Sequence, residues 1–237
     1  MNIIADLHTH TIASGHAYST INELAREAAD KKLLALALTD HGPALPGGPH
    51  LYHFGALRFV PKVLFGVRIF SGVEANILDI DGKLDLPDSY LHKLDFIMAG
   101  FHEECGFVTR GKEDNTRALV NAMSNPLVHA ISHPGNPVFP VDKERVVAAA
   151  VATGTALEIN NSSFSISREG SRTNCEELAH LIARNGAPVM VGSDAHIAQG
   201  VGDFTDAVQV LVKAGVYEEQ VINTSLSRLL EFLQHKG

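Results

Sequence analysis

Residues 3–10 read Ile3-Ile4-Ala5-Asp6-Leu7-His8-Thr9-His10, a short apolar run that ends in two histidines. A run this short, ended by polar residues before a helical period is established, reads as a buried strand. On an extended chain His8 and His10 lie two positions apart, so both imidazoles point to one side and can grip one ion. The pattern recurs along the chain. Strand-like runs are expected at 3–7, 34–39, 67–73, 95–100, 128–132, 156–159 and 188–192. The six later runs end in Thr39-Asp40-His41, Glu74, His102, His133, Asn160-Asn161 and Ser193-Asp194-Ala195-His196. Asp194-x-His196 repeats the spacing of the opening pair, and every strand end carries a ligand or a polar anchor.

Between these runs the spacing predicts helices over 20–32, 114–124, 142–153, 174–185 and 204–214, with a closing helix over 225–236. Ser19 or Thr20 and Asp142 are capping starts, and Gly154, Gly186 and Gly215 follow apolar periodic runs as stops. Residues 42–61, rich in Gly and Pro, read as a long loop over the top of the domain. Alternating strands and helices imply a parallel α/β sheet with right-handed crossovers, and seven such units suit either a barrel or a doubly wound sheet. A closed ring would bring all the polar strand ends to one rim, where several metal ions could be shared among them.

The whole-chain numbers are consistent with this. A chain of 237 residues is expected to form one domain, since α/β barrels run to about 200 to 250 residues without splitting. Apolar residues make up 45% and charged residues 19%, a balance that supports a sizeable core and excludes disorder. A net charge of −8 with no basic block argues against a dedicated nucleic-acid binder, which needs clustered Lys and Arg. No stretch approaches the roughly 18 consecutive apolar residues of a membrane span, and the acidic, histidine-bearing start does not read as a signal peptide. Cys105 and Cys175 fall in no metal or disulfide spacing and read as reduced thiols of a cytoplasmic protein. Histidine stands out, 13 residues in a chain without tryptophan, and it is the commonest metal ligand.

Taken together, DLHTHT at 6–11, TDHG at 39–42, SGVEANI at 71–77, GFHE at 100–103, SHPG at 132–135, EINNSS at 158–163 and GSDAH at 192–196 resemble the PHP family, named for polymerase and histidinol phosphatase. The resemblance spans essentially the whole chain and is closest to the stand-alone bacterial phosphatase branch. It implies a distorted seven-stranded (β/α)7 TIM-like barrel with three zinc ions at the C-terminal ends of the strands. Carried over residue by residue, it assigns His8, His10, Glu74 and Asp194 to a first ion. Glu74 would bridge to a second, held also by His102 and His133, and His16, His41 and His196 would hold a third. Each ion then keeps an open position, as catalytic zinc requires. Manganese and iron suit an imidazole-rich set as well. The resemblance also implies a homo-oligomer, with a trimer as the assembly it points to.

The reaction expected of such a cluster is hydrolysis of small phosphate monoesters by a metal-bound hydroxide, because bound Zn²⁺ lowers the pKa of water to about 7. No side-chain nucleophile is required, and neither a Gly-x-Ser-x-Gly elbow nor a cysteine nucleophile signature occurs. For contact with the substrate the candidates are Arg168 and Arg172 in the loop after Asn160-Asn161, and Asn161 itself, with Arg110 and Lys112 after the His102 strand in reserve. Asp6 and Asp40 are expected to hydrogen-bond histidines or to cap the next helix. His50, His53, His92, His180 and His235 read as surface or satisfied residues, His129 as a residue at the wrong end of its strand, and Glu103 and Glu104 as solvated loop acids.

Two other readings compete. A metal-dependent amidohydrolase also opens with His-x-His on its first strand, but it adds an eighth strand and often a carbamylated lysine, where this chain has His102. A non-catalytic metal-binding or regulatory protein would use a closed, cysteine-rich site, whereas this set is open and histidine-rich. The alcohol half of the substrate and the general acid for its departure are not specified by these residues.

Overall fold

The strands of the computed structural model, which describes residues 1–165 and 167–236, are β1 (Ala5–Asp6), β2 (Ala35–Leu38), β3 (Val63–Leu64), β4 (Val67–Asn76), β5 (Phe96–Gly100), β6 (Ala130–Ile131), β7 (Ala156–Asn160) and β8 (Val189–Gly192). Seven of them run parallel in the order β1-β2-β4-β5-β6-β7-β8, and β3 pairs antiparallel with the first two residues of β4. The sheet curls into a nearly closed α/β barrel. Of the two architectures left open by the pattern, the barrel is therefore the one formed.

Closure between the first and last strands is made in two ways. Near the rim a single parallel bridge joins Thr9 to Ala195, with Asp194 N–H donating to His8 O and His10 N–H to Ala195 O, each at 2.9 Å. Lower down a side chain replaces the missing ladder. Asn223 is fully buried, and its Nδ2 donates to Ala5 O of β1 and Val191 O of β8, both at 2.8 Å. Its Oδ1 accepts Val191 N–H at 3.2 Å, and its carbonyl accepts Ile4 N–H at 2.9 Å. One carboxamide thus satisfies backbone groups on both sides of the seam, groups that would be costly to bury unpaired.

The helices around the ring are α1 (Ile21–Asp30), α2 (Leu51–Ala56), α3 (Asp88–Leu91), α4 (Lys112–Met123), α5 (Lys143–Thr153), α6 (Ser171–Asn185), α7 (Thr205–Ala214) and α8 (Leu226–Lys236). Thr20 starts α1 with a capping box: its hydroxyl accepts Glu23 N–H, and Glu23 Oε2 accepts Thr20 N–H at 2.7 Å. Asp142 caps α5 through Arg145 N–H at 3.2 Å. The expected loop over 42–61 is a correction, because it contains α2 and a following 3-10 turn, Leu57–Phe59. Six residues are too few to show a period, yet Phe54 and Leu57 are buried three apart and tie the segment to the core. Among the described residues no helix is long and apolar enough to cross a membrane.

Two apolar layers follow from strand alternation. Leu36, Leu38, Ile97, Leu157 and Val191 face the helices, while Ala35, Ala37, Phe70, Phe96, Met98, Ala156 and Met190 fill the barrel interior above Leu229 of α8. On β4, β5, β7 and β8, continuing the inner parity past this filling brings Glu74, His102, Glu158, Asn160 and Asp194 to the open end. The core thus sets the level at which polar chemistry begins.

Candidate metal centre

Glu74, fully buried on β4, is the hub of the open end. Its Oε1 lies 2.8 Å from Nε2 of His133 and 3.1 Å from Nε2 of His102, which follow β6 and β5. Its Oε2 lies 3.0 Å from Nδ1 of His41, 3.1 Å from Nε2 of His8 and 3.5 Å from Nε2 of His10. Asp194 Oδ1 lies 3.2 Å from Nε2 of His10 and 3.4 Å from Nε2 of His8. Further out, Nε2 of His196 and Nε2 of His16 stand 3.0 Å apart, and the His16 and His41 rings stack with centroids 5.1 Å apart. All nine sequence-predicted ligands meet at one rim.

Among the described residues three donor groups are tight enough to hold an ion: His8, His10 and Asp194; His41, Glu74 and His102; and His10, His41 and His196. The first is contained in the expected first set. The other two share His41 and His10 differently from the expected partition, because neighbouring sets lie in contact rather than apart.

Whether cations fit is decided by unsatisfied atoms. Among the described residues the buried side-chain atoms without a hydrogen-bond partner are His8 Nε2, His10 Nε2, His41 Nδ1, Glu74 Oε2 and Ser132 Oγ, and all but the last point into this cluster. Buried polar atoms are ordinarily paired. Two donors bound tetrahedrally at about 2.0–2.1 Å from an ion stand about 3.3 Å apart, close to the spacings here. The donor set fits metal ions.

The opposite ring nitrogens are held in place. Nδ1 of His8 meets Glu158 Oε1 at 2.7 Å, Nδ1 of His102 meets Asn76 Oδ1 at 2.7 Å, and Nδ1 of His10 meets Ser14 Oγ at 3.3 Å. Nδ1 of His16 donates to Ser14 O and Nδ1 of His196 to Asp194 O, each at 3.0 Å. Such partners fix the tautomer and turn the lone pair of Nε2 toward the centre. Ser14 in turn donates to Asp40 at 2.7 Å, and Asp40 also accepts from Thr11 and from His53 Nε2 at 3.0 Å. Asp40 therefore supports a histidine as expected. Asp6 does not: its carboxylate takes the backbone N–H groups of His8, Ser193 and Gly202, and so ties the first strand to the last.

The electrostatics suit cation binding. Burial opposes ionisation of Glu74, but His8, His102 and His41 hold its carboxyl well below the usual range, and His8 and Arg168 do the same for Asp194. Burial, with the neighbouring His41, keeps His10 well below its ordinary value. Burial and Arg168 bring His133 down to about 4. Around neutrality His10 and His133 are neutral imidazoles facing carboxylates, the form a metal requires, whereas for His8 burial is outweighed by Glu158, Glu74 and Asp194, which hold it well above its ordinary value.

Above the cluster opens a crater of about 560 Å³, a volume that suits a small ligand. Arg168 lines it, with Nε donating to Ser163 Oγ at 3.1 Å and Nη2 donating to Asp194 Oδ2. Asn161 also lines it, but its Oδ1 accepts the N–H groups of Asp206 and Ala207 at 3.0 and 3.1 Å and so caps α7. The structure places Arg172 away from the crater, where it pairs with Asp206 at 3.3 Å and lies over the Phe164 ring. Arg110, Lys112, Glu103 and Glu104 are exposed. His129 is buried beside Phe96 at the opposite end, its Nδ1 accepting Ile97 N–H at 3.1 Å. Sequence reasoning missed Glu158, Ser14 and Asn76. Glu158 shares strand parity with Asn160, the one signal that could have found it.

A family model described as PHP domain matches residues 6–138. The chain is 53% identical over 228 residues to a protein of Syntrophotalea carbinolica named a probable phosphatase, covering 96% of this chain and 95% of that one. It is 50% identical over 236 residues to another so named in Caldanaerobacter subterraneus subsp. tengcongensis, covering 100% and 93%. Among solved structures it resembles the histidinol phosphate phosphatase of Lactococcus lactis, crystallised with zinc, L-histidinol and phosphate. That match has a TM-score of 0.68 at 18% identity and covers 92% of this chain and 95% of that one, a likeness of fold.

Proposed function

The chain belongs to the PHP domain family, and on that premise we propose that it is a metal-dependent phosphatase that hydrolyses small phosphate monoesters with three zinc ions. His8, His10, Glu74 and Asp194 would hold the first ion, Glu74, His102 and His133 the second, and His16, His41 and His196 the third. The observation that carries this reading is the convergence of partnerless buried donors His8 Nε2, His10 Nε2, His41 Nδ1 and Glu74 Oε2 at the floor of an open crater. Manganese and iron are the alternatives that an imidazole-rich set admits.

When bound, the ions supply Lewis acidity toward phosphoryl oxygens and a source of hydroxide at neutral pH. The protein supplies position and charge. Glu74 offers an oxygen to each side of the cluster, and the low proton affinity of His10 and His133 leaves both as lone-pair donors at neutrality. Arg168 provides the cation for the phosphate. A guanidinium has five N–H donors, so engagement with Ser163 and Asp194 leaves capacity for a phosphate oxygen. Asn161 remains a candidate contact through the end of its side chain that does not cap α7. A cytoplasmic site of action, supported by the buried free thiols of Cys105 and Cys175, and a trimeric assembly belong to the same proposal.

The test is metal content per chain in freshly purified protein, followed by turnover of phosphate monoesters against amides after metal stripping and addition of zinc, manganese or cobalt. About three ions per chain and restored phosphatase activity are the expected result. A metal-free protein, or one that cleaves only amides, would overturn the reading.

A further inference from the structure

Glu158 carries no assigned role, yet it is almost completely buried on β7, one residue inside Ile159 and below the rim. A buried carboxylate is costly unless its oxygens are occupied, and here both are. Oε1 meets Nδ1 of His8 at 2.7 Å. Oε2 accepts the backbone N–H of His133 at 2.8 Å and Nδ2 of Asn160 at 3.2 Å, and that same Nδ2 donates to Asp194 Oδ2 at 3.2 Å. One carboxyl group therefore touches the residues that follow β1 and β6 and, through Asn160, the one that follows β8.

The surrounding chain makes room for this contact. A Cβ on Gly192 of β8 would lie 2.2 Å from Glu158 Oε1 and 2.7 Å from Cβ of His8, so only glycine lets carboxylate and imidazole meet there. His133 has φ of 32°, a left-handed backbone that few residues other than glycine adopt. Its N–H, pointed at Glu158, anchors the turn that swings the imidazole round to 2.8 Å from Glu74.

We propose that Glu158 is a positioning residue for two ion sites at once. It holds His8 in the Nδ1–H form with Nε2 turned to Glu74 and Asp194, and it pins the strained turn that delivers His133. Its own oxygens are taken up by His8, His133 and Asn160, and its effect passes through the two histidines. The inference rests on the reading of His8 and His133 as metal ligands.

Glu158→Gln separates position from packing. The glutamine has the same shape, and its oxygen accepts His133 N–H, which leaves its NH₂ opposite His8 Nδ1. Two donors cannot face each other, so His8 must carry its proton on Nε2, the atom meant for the ion. Zinc-loaded wild-type protein should show His8 protonated at Nδ1 in long-range ¹H–¹⁵N spectra. In competition with a chromophoric chelator, Glu158→Gln should bind zinc about 10- to 100-fold more weakly at the His8 ion, with unchanged far-ultraviolet circular dichroism. Wild-type zinc affinity in Glu158→Gln would overturn the inference, as would a wild-type His8 protonated at Nε2, a result that decides the matter even if the variant fails to fold. A wild-type chain that binds no zinc would sink the metal reading itself, a different outcome from zinc bound equally by both proteins.

Discussion

Arg168 donates from Nη2 to Oδ2 of Asp194, while the other oxygen of that carboxylate lies 3.2 Å from Nε2 of His10 and 3.4 Å from Nε2 of His8. Asp194 therefore stands between the guanidinium that faces the crater and the donors on its floor. The two sides of its carboxylate are not interchangeable, and loss of Arg168 should be felt first by the substrate. A hydrogen bond to a charged group contributes about 1.5–3 kcal/mol, so Arg168→Ala should raise KM for a phosphate monoester by about 10- to 100-fold while bound metal stays at the wild-type level. Steady-state kinetics beside elemental analysis checks this, and unchanged kinetics would remove Arg168 from the site.

His16 and His41 test the third ion of the proposed set. Each belongs to the third expected set, so His16→Ala should lower metal content by about one ion per chain and leave the remainder bound. His41→Ala should cost more than one, because its Nδ1 also stands 3.0 Å from Glu74 Oε2. Inductively coupled plasma mass spectrometry on both variants reads the difference. Equal losses would place His41 in one set only.

Asn223→Ala should weaken the barrel without touching the crater. It leaves Ala5 O, Val191 O and Val191 N–H without their partner. At about 1–3 kcal/mol for a buried unsatisfied group, and with some water entering, the expected loss is about 3 kcal/mol. Urea unfolding measures it. A change under about 0.5 kcal/mol, the size of an ordinary surface substitution, would show that the seam holds without the carboxamide.

Alkaline pH should destabilise the fold through its thiols. Burial pushes Cys175 from its ordinary 9.0 up to about 12, and burial with Asp85 and Glu74 nearby does the same to Cys105. Between those pH values the folded chain keeps protons that the unfolded chain releases. Stability is therefore unaffected below pH 9 and falls as pH rises above it, by up to about 1.4 kcal/mol per unit for a fully buried thiol. Unfolding free energies of wild type and Cys175→Ala at pH 8, 9 and 10 should diverge above pH 9. Parallel curves would refute the assignment.

The parallel strands were legible because each is an apolar run ended by a polar residue, a pattern that survives without knowledge of partners, but that pattern suits a doubly wound sheet as well as a barrel. β3 and α2 were not legible, since two residues carry no alternation and six carry no helical period. In the site, His8, His10 and Glu74 announced themselves by type and place. Glu158 did not, because a lone acid inside a strand gives no sign that it meets an imidazole 150 positions earlier. Arg172 shows the converse: its type suits phosphate, but it is the second residue of α6, and that helix start carries it outward to Asp206. Direction, set by the turn before a helix, is what the order of residues leaves unspoken.

The carboxamide of Asn223 reaches a carbonyl 218 positions earlier in the chain. The ring therefore cannot be sealed until residue 223 has left the ribosome, and His8 meets Asp194 only once the last strand has been made. On the proposed reading, an ion shared by His8, His10 and Asp194 would be captured only after β8 has been made.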